Sequence, residues 1–346
     1  MMDHKKIIKM KLITWIVLAV FLIFILVLSI LYKSRAYTYK FNSSFSSGQF
    51  SFDLGTSQDM KVLQEYKVSV KDIAKINVDL SSEDINIFES EDQNIYVVEK
   101  SNLDLKKDQL CKIRQDNHQL NINKPITNIG TNFFALRKDI QLDIYLPSNY
   151  EGDILLETKS GDLTILSKLD LKDNVLEVYH ASGDIEIENE IRAGKVIFDV
   201  KSGDIDVLKE INTKEISMIS KSGNITLDNV VASESYSIEA SSGNISMMSL
   251  IGKGKIGAKS GNVSITIEDI KGDIYCETMS GNIDLGIDKN INCELYAHCK
   301  SGDINSDIPV QYSGNNKNEA TAKLGAMSNY KIDIKATSGN IHLVYK

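Results

Sequence analysis

The chain has 346 residues, 42% of them hydrophobic and 25% charged, with three prolines and 21 glycines. That balance belongs to a folded protein and excludes disordered, collagen-like and Pro-rich low-complexity classes. Residues 1–40 carry a net charge of +6 and the remainder −14, so the bulk of the chain is unsuited to nucleic acid, whose phosphates supply most non-specific affinity.

The first predicted element lies near the N-terminus. From Leu12 to Tyr32 there are 21 residues without a formal charge, enough to cross a bilayer core about 30 Å thick. Lys5, Lys6, Lys9 and Lys11 precede this run, and the positive-inside rule keeps residues 1–11 in the cytoplasm. The competing reading is a cleaved signal peptide. Its apolar region is normally shorter, about 7–15 residues, and Ser34-Arg35-Ala36 is a poor cleavage site. The expectation is an uncleaved signal anchor over residues 12–32, single-pass in the cell membrane, with all that follows outside the cytoplasm. Residues 33–72 are rich in Ser, Gly, Tyr and Lys without a sustained period. They read as a linker or stalk, with one helical turn around Met60–Tyr66.

From Lys75 an alternation of apolar and polar residues begins: Ile76, Val78 and Leu80, then Ser81-Ser82-Glu83-Asp84-Ile85-Asn86-Ile87, with Glu83 in the position that glycine holds in the later units. Residues 73–150 read as degenerate coils of the repeat that becomes regular over 151–346, with strands around Tyr96–Val98, Cys111–Ile113, Leu120–Ile122 and Phe133–Leu136. In the regular part a Ser-Gly pair is followed nine times by Asp or Asn and an aliphatic residue. The glycines are Gly161, Gly183, Gly203, Gly223, Gly243, Gly261, Gly281, Gly302 and Gly339. The first eight span 141 residues in seven steps, a mean of about 20, which is the period of a stacked-repeat architecture. The 37-residue step from Gly302 to Gly339 predicts an insertion at 306–330.

Aligned on the glycine, apolar residues stand seven, five and three positions before it, as in Val196, Phe198 and Val200 or Ile274, Cys276 and Thr278. They stand again two and four positions after it, as in Ile205 and Val207. Strict alternation means half-buried strand. A hairpin array would use the glycine as its turn but would not explain the near-constant step. A single-stranded, parallel β-helix-like solenoid, all-β, with strands about 4.8 Å apart around a continuous apolar column, explains both. In such a stack the corner Asn side chains form a column that bonds from rung to rung. Asp162, Asp184 and Asp204 would stack like charges, and oxygen ligands of this kind suit Ca²⁺. The glycine-rich nonapeptide of calcium-binding β-rolls is absent, and no metal or cofactor site is assigned.

The order of a strand ending in Leu146-Pro147, then Ser160-Gly161-Asp162-Leu163 and its successors, closed by Leu324-Gly325 and Thr337-Ser338-Gly339-Asn340-Ile341, resembles the bacterial "putative adhesin" family of β-strand-repeat envelope proteins. The resemblance covers roughly residues 73–346. It implies an envelope protein without known catalytic residues.

The residues themselves offer little chemistry. His4, His118, His180, His298 and His342 share no metal-like spacing, and His180 and His298, near corners, read as surface residues. Cys111, Cys276, Cys293 and Cys299 form no metal or disulfide framework, and Cys276 and Cys299 fall on inward positions of the repeat. Gly252-x-Gly254 lacks the third glycine of a dinucleotide fingerprint. The resulting expectation is a non-enzymatic envelope protein with no catalytic residue. Its candidate partners are envelope proteins, wall polymers and cationic peptides. The alternative is a β-helical carbohydrate-active enzyme or a binder of wall polysaccharide, which needs carboxylates at a defined separation.

Overall fold

The computed structural model describes residues 60–124, 140–313, 317–326 and 329–346. The expected anchor at 12–32, most of the expected linker and the strand expected at Phe133–Leu136 lie outside the described residues. Among those residues no helix is long and apolar enough to cross a membrane.

The alternating pattern becomes three parallel ladders, one on each side of a solenoid-like coil. The first precedes the Ser-Gly corner and pairs inward residues in register: Val178 with Phe198, then Met218, Ile238, Ile256 and Cys276. The second follows the corner, with Ile185, Ile205, Ile225, Ile245, Val263 and Ile283 in one column. The third is the return, where Ile191 meets Ile211, then Val230 and Leu250. The inward residues named in these columns are all at most 2% exposed. An apolar residue at every second position therefore removes whole columns of aliphatic side chains from water, which is the main favourable contribution to the stack.

Rung order follows chain order only in the middle of the molecule. At the N-terminal end the rung built from Lys75–Leu80 and Asp84–Ser90 is not outermost. It lies between Asp153–Ile165 on one side and Gln119–Asn123 with Ile140–Pro147 on the other. At the C-terminal end Lys331–Ser338 is inserted between Val263–Ser280 and Cys293–Ser301. The last coil in sequence is thus second to last in space, and the expected stacking of each unit on its predecessor fails at both ends.

Those reversals serve the edges. A parallel rung left outermost would present unpaired backbone groups to other chains. Here antiparallel strands close the stack. Lys112–Asp116 pairs with Gln119–Asn123, and Asn94–Ser101 with Ile140–Pro147, with Lys61–Ser69 beyond it. At the far end Glu319–Leu324 and Gln311–Ser313 form a hairpin against Cys293–Ser301. Two expectations are corrected here. The helical turn around Met60–Tyr66 is part of the strand Lys61–Ser69. The strands around Tyr96 and Cys111 run antiparallel, so they are caps and not degenerate coils. Within the range expected as an insertion, 306–330, lie the hairpin strands Gln311–Ser313 and Glu319–Leu324.

Candidate functional site

The corner column, where the repeat concentrates its polar residues, is the natural place to look for chemistry. Each corner glycine has positive φ, from +107° at Gly161 to +153° at Gly261, a region that side chains disfavour. Space makes the same demand: a Cβ on Gly203 would sit 1.8 Å from the carbonyl oxygen of Gly183. Glycine is therefore required twice over by the stacking itself.

The Asp or Asn beside it is equally committed. The N–H of Asp184 donates to Asp162 Oδ1 at 3.0 Å, Asp204 N–H to Asp184 Oδ1 at 2.8 Å and Asn224 N–H to Asp204 Oδ1 at 2.7 Å. The series continues through Asn244, Asn262, Asn282 and Asn340 to Asp303, each N–H donating to the preceding rung's Oδ1 at 2.8–2.9 Å. What stacks is a side-chain oxygen on a backbone N–H. The expected amide-to-amide bonds are secondary, as in Asn244 Nδ2 to Asn224 Oδ1 at 3.3 Å. Because only an acceptor is needed, Asp serves as well as Asn, and the acidic run at Asp162, Asp184 and Asp204 needs no cation to explain it.

Inside the corner a column of small residues supports these carbonyls. Thr278 Oγ1 donates to Gly261 O at 3.1 Å, and Cys299 Sγ to Gly339 O at 3.5 Å. His180 belongs to this column, between Thr158 and Val200. It is 2% exposed, which corrects its reading as a surface residue. Its ring nitrogens lie beside the corner backbone without a well-formed hydrogen bond. Burial holds its pKa below the ordinary value against the opposing carboxylates of Asp162 and Asp184.

Glu83 does stand where the other corners have glycine, since Gly161 packs on its carbonyl. Its carboxylate accepts the N–H groups of Ser81 and Ser82 at 3.0 and 2.9 Å. Lys124 reaches Glu83 at 3.1 Å and Glu99 at 2.8 Å, with all three side chains at most 4% exposed. Glu99 also accepts from Gln64 and from the N–H of Cys111. This satisfied ionic cluster ties the cap to the first rung. Sequence reading placed Glu83 but had no periodic signal for Lys124 or Glu99.

Other reactive groups are dispersed or enclosed. All four cysteines are free and buried, and burial pushes the thiols of Cys276 and Cys293 up to about 12 and about 11, far from thiolate chemistry. Gly252 and Gly254 lie against Tyr236, whose ring atoms would be 3.3 and 2.8 Å from a Cβ at each. Their spacing makes room for that ring. Glu186 and Asp206 are register partners on the second ladder. Both carboxyls are raised, first by desolvation and then by neighbouring carboxylates, but they stand on an open sheet face. A groove over Lys172, Arg192 and Lys214 is partly neutralised, with Lys214 on Asp173 at 2.8 Å and Lys172 on Asp170 at 2.5 Å. Among the described residues no group of three or more His, Cys, Asp or Glu could hold a metal ion.

With the repeat and its caps defined, the family can be read. The Toastrack DUF4097 profile matches residues 73–344. The chain belongs to the Toastrack DUF4097 family. Three solved structures are among those similar to it. The "putative cell adhesion protein" of Clostridium sporogenes is 16% identical over 82% of this chain and 99% of its own, with a TM-score of 0.24. The "putative adhesin" of Bacteroides fragilis is 12% identical over 83% and 98%, with a TM-score of 0.40. The "putative lipid binding protein" of Parabacteroides distasonis is 13% identical over 65% and 92%, with a TM-score of 0.30. No curated protein matches the chain. In this Toastrack chain the motif that defines the repeat is occupied with holding rungs together.

Proposed function

We propose that this Toastrack protein is a single-pass membrane protein whose residues 73–346 stand outside the cytoplasm as a rigid, non-enzymatic scaffold for interaction or sensing in the cell envelope. The anchor reading rests on the uncharged run Leu12–Tyr32 behind four lysines. The scaffold reading rests chiefly on one observation: the corner oxygens from Asp162 through Asn282 and Asn340 each accept a backbone N–H of the next rung. Side chains so used are supports, and they leave recognition to the outward sheet faces.

The test is protease accessibility in the producing cells. Protease added to intact cells should remove the repeat while a short N-terminal fragment stays with the membrane. A repeat that remains protected in intact cells, or that fractionates with soluble cytosolic protein, contradicts the reading.

A further inference from the structure

The outward face of the first ladder is mostly charged or small, but near the C-terminal end it carries two exposed tyrosines in one column. Tyr275 is 45% exposed and Tyr296 is 40% exposed. Both are register partners of Asp333, one on each side, because the inserted last coil separates their strands. Two strand spacings place their backbones about 9.6 Å apart along the stack. Tyr296 is held in place: its hydroxyl donates to Glu294 at 2.9 Å, and Lys331 Nζ lies 5.9 Å from the ring centre.

One rung before Tyr275, at an outward position between Ile256 and Ala258, stands Gly257. Its backbone does not call for glycine. A Cβ there would make only ordinary contact, 3.5 Å from Glu277 Cγ. A mid-strand glycine weakens a strand and marks places where a ligand approaches the backbone closely. Here it leaves a notch two residues along the strand from Lys255, whose register partner on the next rung is Tyr275.

We propose that this face binds an extended β-1,4-linked polysaccharide lying across the rungs from Gly257 to Tyr296. Aromatic rings take the apolar C–H faces of pyranose sugars, and the alternate residues of an extended β-1,4 chain present equivalent faces at the two-ring repeat, which matches a two-rung separation. Between the rings Asp333, paired with Lys335 at 2.7 Å, supplies an acceptor and a donor for sugar hydroxyls. The charged rung also departs from the charge-depleted core of a protein interface, and these strands are paired along both edges, so strand addition is unavailable. The proposal deepens the envelope reading and relies on it only for where the glycan is met.

The experiment is calorimetric titration of the purified full chain in detergent with the hexamers of β-1,4-linked N-acetylglucosamine and β-1,4-linked glucose, and with α-1,4-linked glucose hexamer as control. Saturable binding of a β-1,4 hexamer without binding of the α-1,4 chain is expected. Tyr275→Ala and Tyr296→Ala should each weaken it by about tenfold, the scale of one aromatic contact. Gly257→Val should weaken it as well. Tyr275→Phe and Tyr296→Phe keep the rings and should retain binding. Tyr179→Ala, an exposed tyrosine five rungs away on the same ladder, should leave it unchanged. Absence of binding to both β-1,4 hexamers, or binding indifferent to both tyrosine truncations, overturns the proposal. So does tyrosine-dependent self-association or peptide capture in place of sugar binding. Either failure leaves the protease result standing, and a cytosolic repeat would leave the sugar titration standing.

Discussion

The backbone N–H of Asn340 donates to Oδ1 of Asn282 at 2.9 Å, across 58 residues of sequence. Asn340 in turn accepts from the N–H of Asp303 at 2.9 Å. The last repeat of the chain is therefore wedged between two earlier ones, and the corner ladder passes through it without a break. The bond that joins consecutive coils in the middle of the stack also joins these distant ones. The motif thus encodes rung contact as such, whatever the order of the rungs.

This predicts an asymmetry between two substitutions at one corner. Asn244→Ala removes the acceptor for the N–H of Asn262 and should destabilise by about 0.5–1.5 kcal/mol, the net scale of one hydrogen bond. Asn244→Asp keeps the acceptor and should stay within about 0.5 kcal/mol of wild type. Urea midpoints decide between them. Equal losses would mean that the amide-to-amide bond carries the ladder.

At the glycine the two restrictions add. Gly223→Ala forces a side chain onto φ +149° and places Cβ 2.0 Å from Gly203 O. A loss of about 2–4 kcal/mol is expected from strain and displaced backbone. Gly257→Ala, outside the positive-φ region and with a Cβ in ordinary contact 3.5 Å from Glu277 Cγ, should be neutral or slightly stabilising. Thermal midpoints of the two variants should differ in sign or at least widely in size.

Much of this fold is legible in the sequence because the physics is local and repeated. Apolar residues at fixed offsets from Gly203 or Gly223 name the inward column directly, and the step near 20 names parallel stacking. The rung order at the ends is not legible. Gly302 and Gly339 carry the same motif as their neighbours, so nothing local distinguishes stacking on Gly281 from stacking on Gly302. The caps are opaque for a related reason: Lys124 and Glu99 meet through tertiary placement, and neither belongs to a period. His180 sits three positions before Gly183, where the alternation makes residues inward. Its polarity argued for the surface, and the position was the better guide. The tyrosine face was half legible: Tyr275 and Tyr296 each stand six positions before a corner glycine and so share a column, but their two-rung separation appears only once the last coil is placed between them.

The cap cluster should be brittle. Lys124→Met leaves Glu83 and Glu99 buried without their cation, and removing one partner of a buried ionic group costs about 3–5 kcal/mol. The triple change Lys124→Met, Glu99→Met and Glu83→Gln should recover part of that loss, because no ionised group then remains uncompensated. Denaturation curves should show the single variant below the triple. The reverse order would mean that the ions stabilise the cap beyond their desolvation.

His180 sets a direction for acid stability. Its folded pKa is lowered by burial, so the folded protein keeps the ring neutral while the unfolded chain takes up a proton near the ordinary value of about 6.5. Its contribution is fully present above that value and is lost as pH falls toward the lower folded pKa. His180→Val, which matches the neighbouring Val200, should lose less stability than wild type between about pH 7 and 5. Parallel pH slopes for the two proteins would remove His180 from the account.

The most direct test of the architecture is the order of its last three rungs, read by paired cysteines. Ser280 is the register partner of Ser338, and Ser338 of Ser301, and parallel neighbours lie within disulfide reach. Oxidation should cross-link Ser280→Cys with Ser338→Cys, and Ser338→Cys with Ser301→Cys, while Ser280→Cys with Ser301→Cys stays reduced because a rung intervenes. Ready cross-linking of positions 280 and 301 with none between 280 and 338 would mean that the coils stack in chain order. The inserted last coil, and the tyrosine spacing that depends on it, would then be wrong.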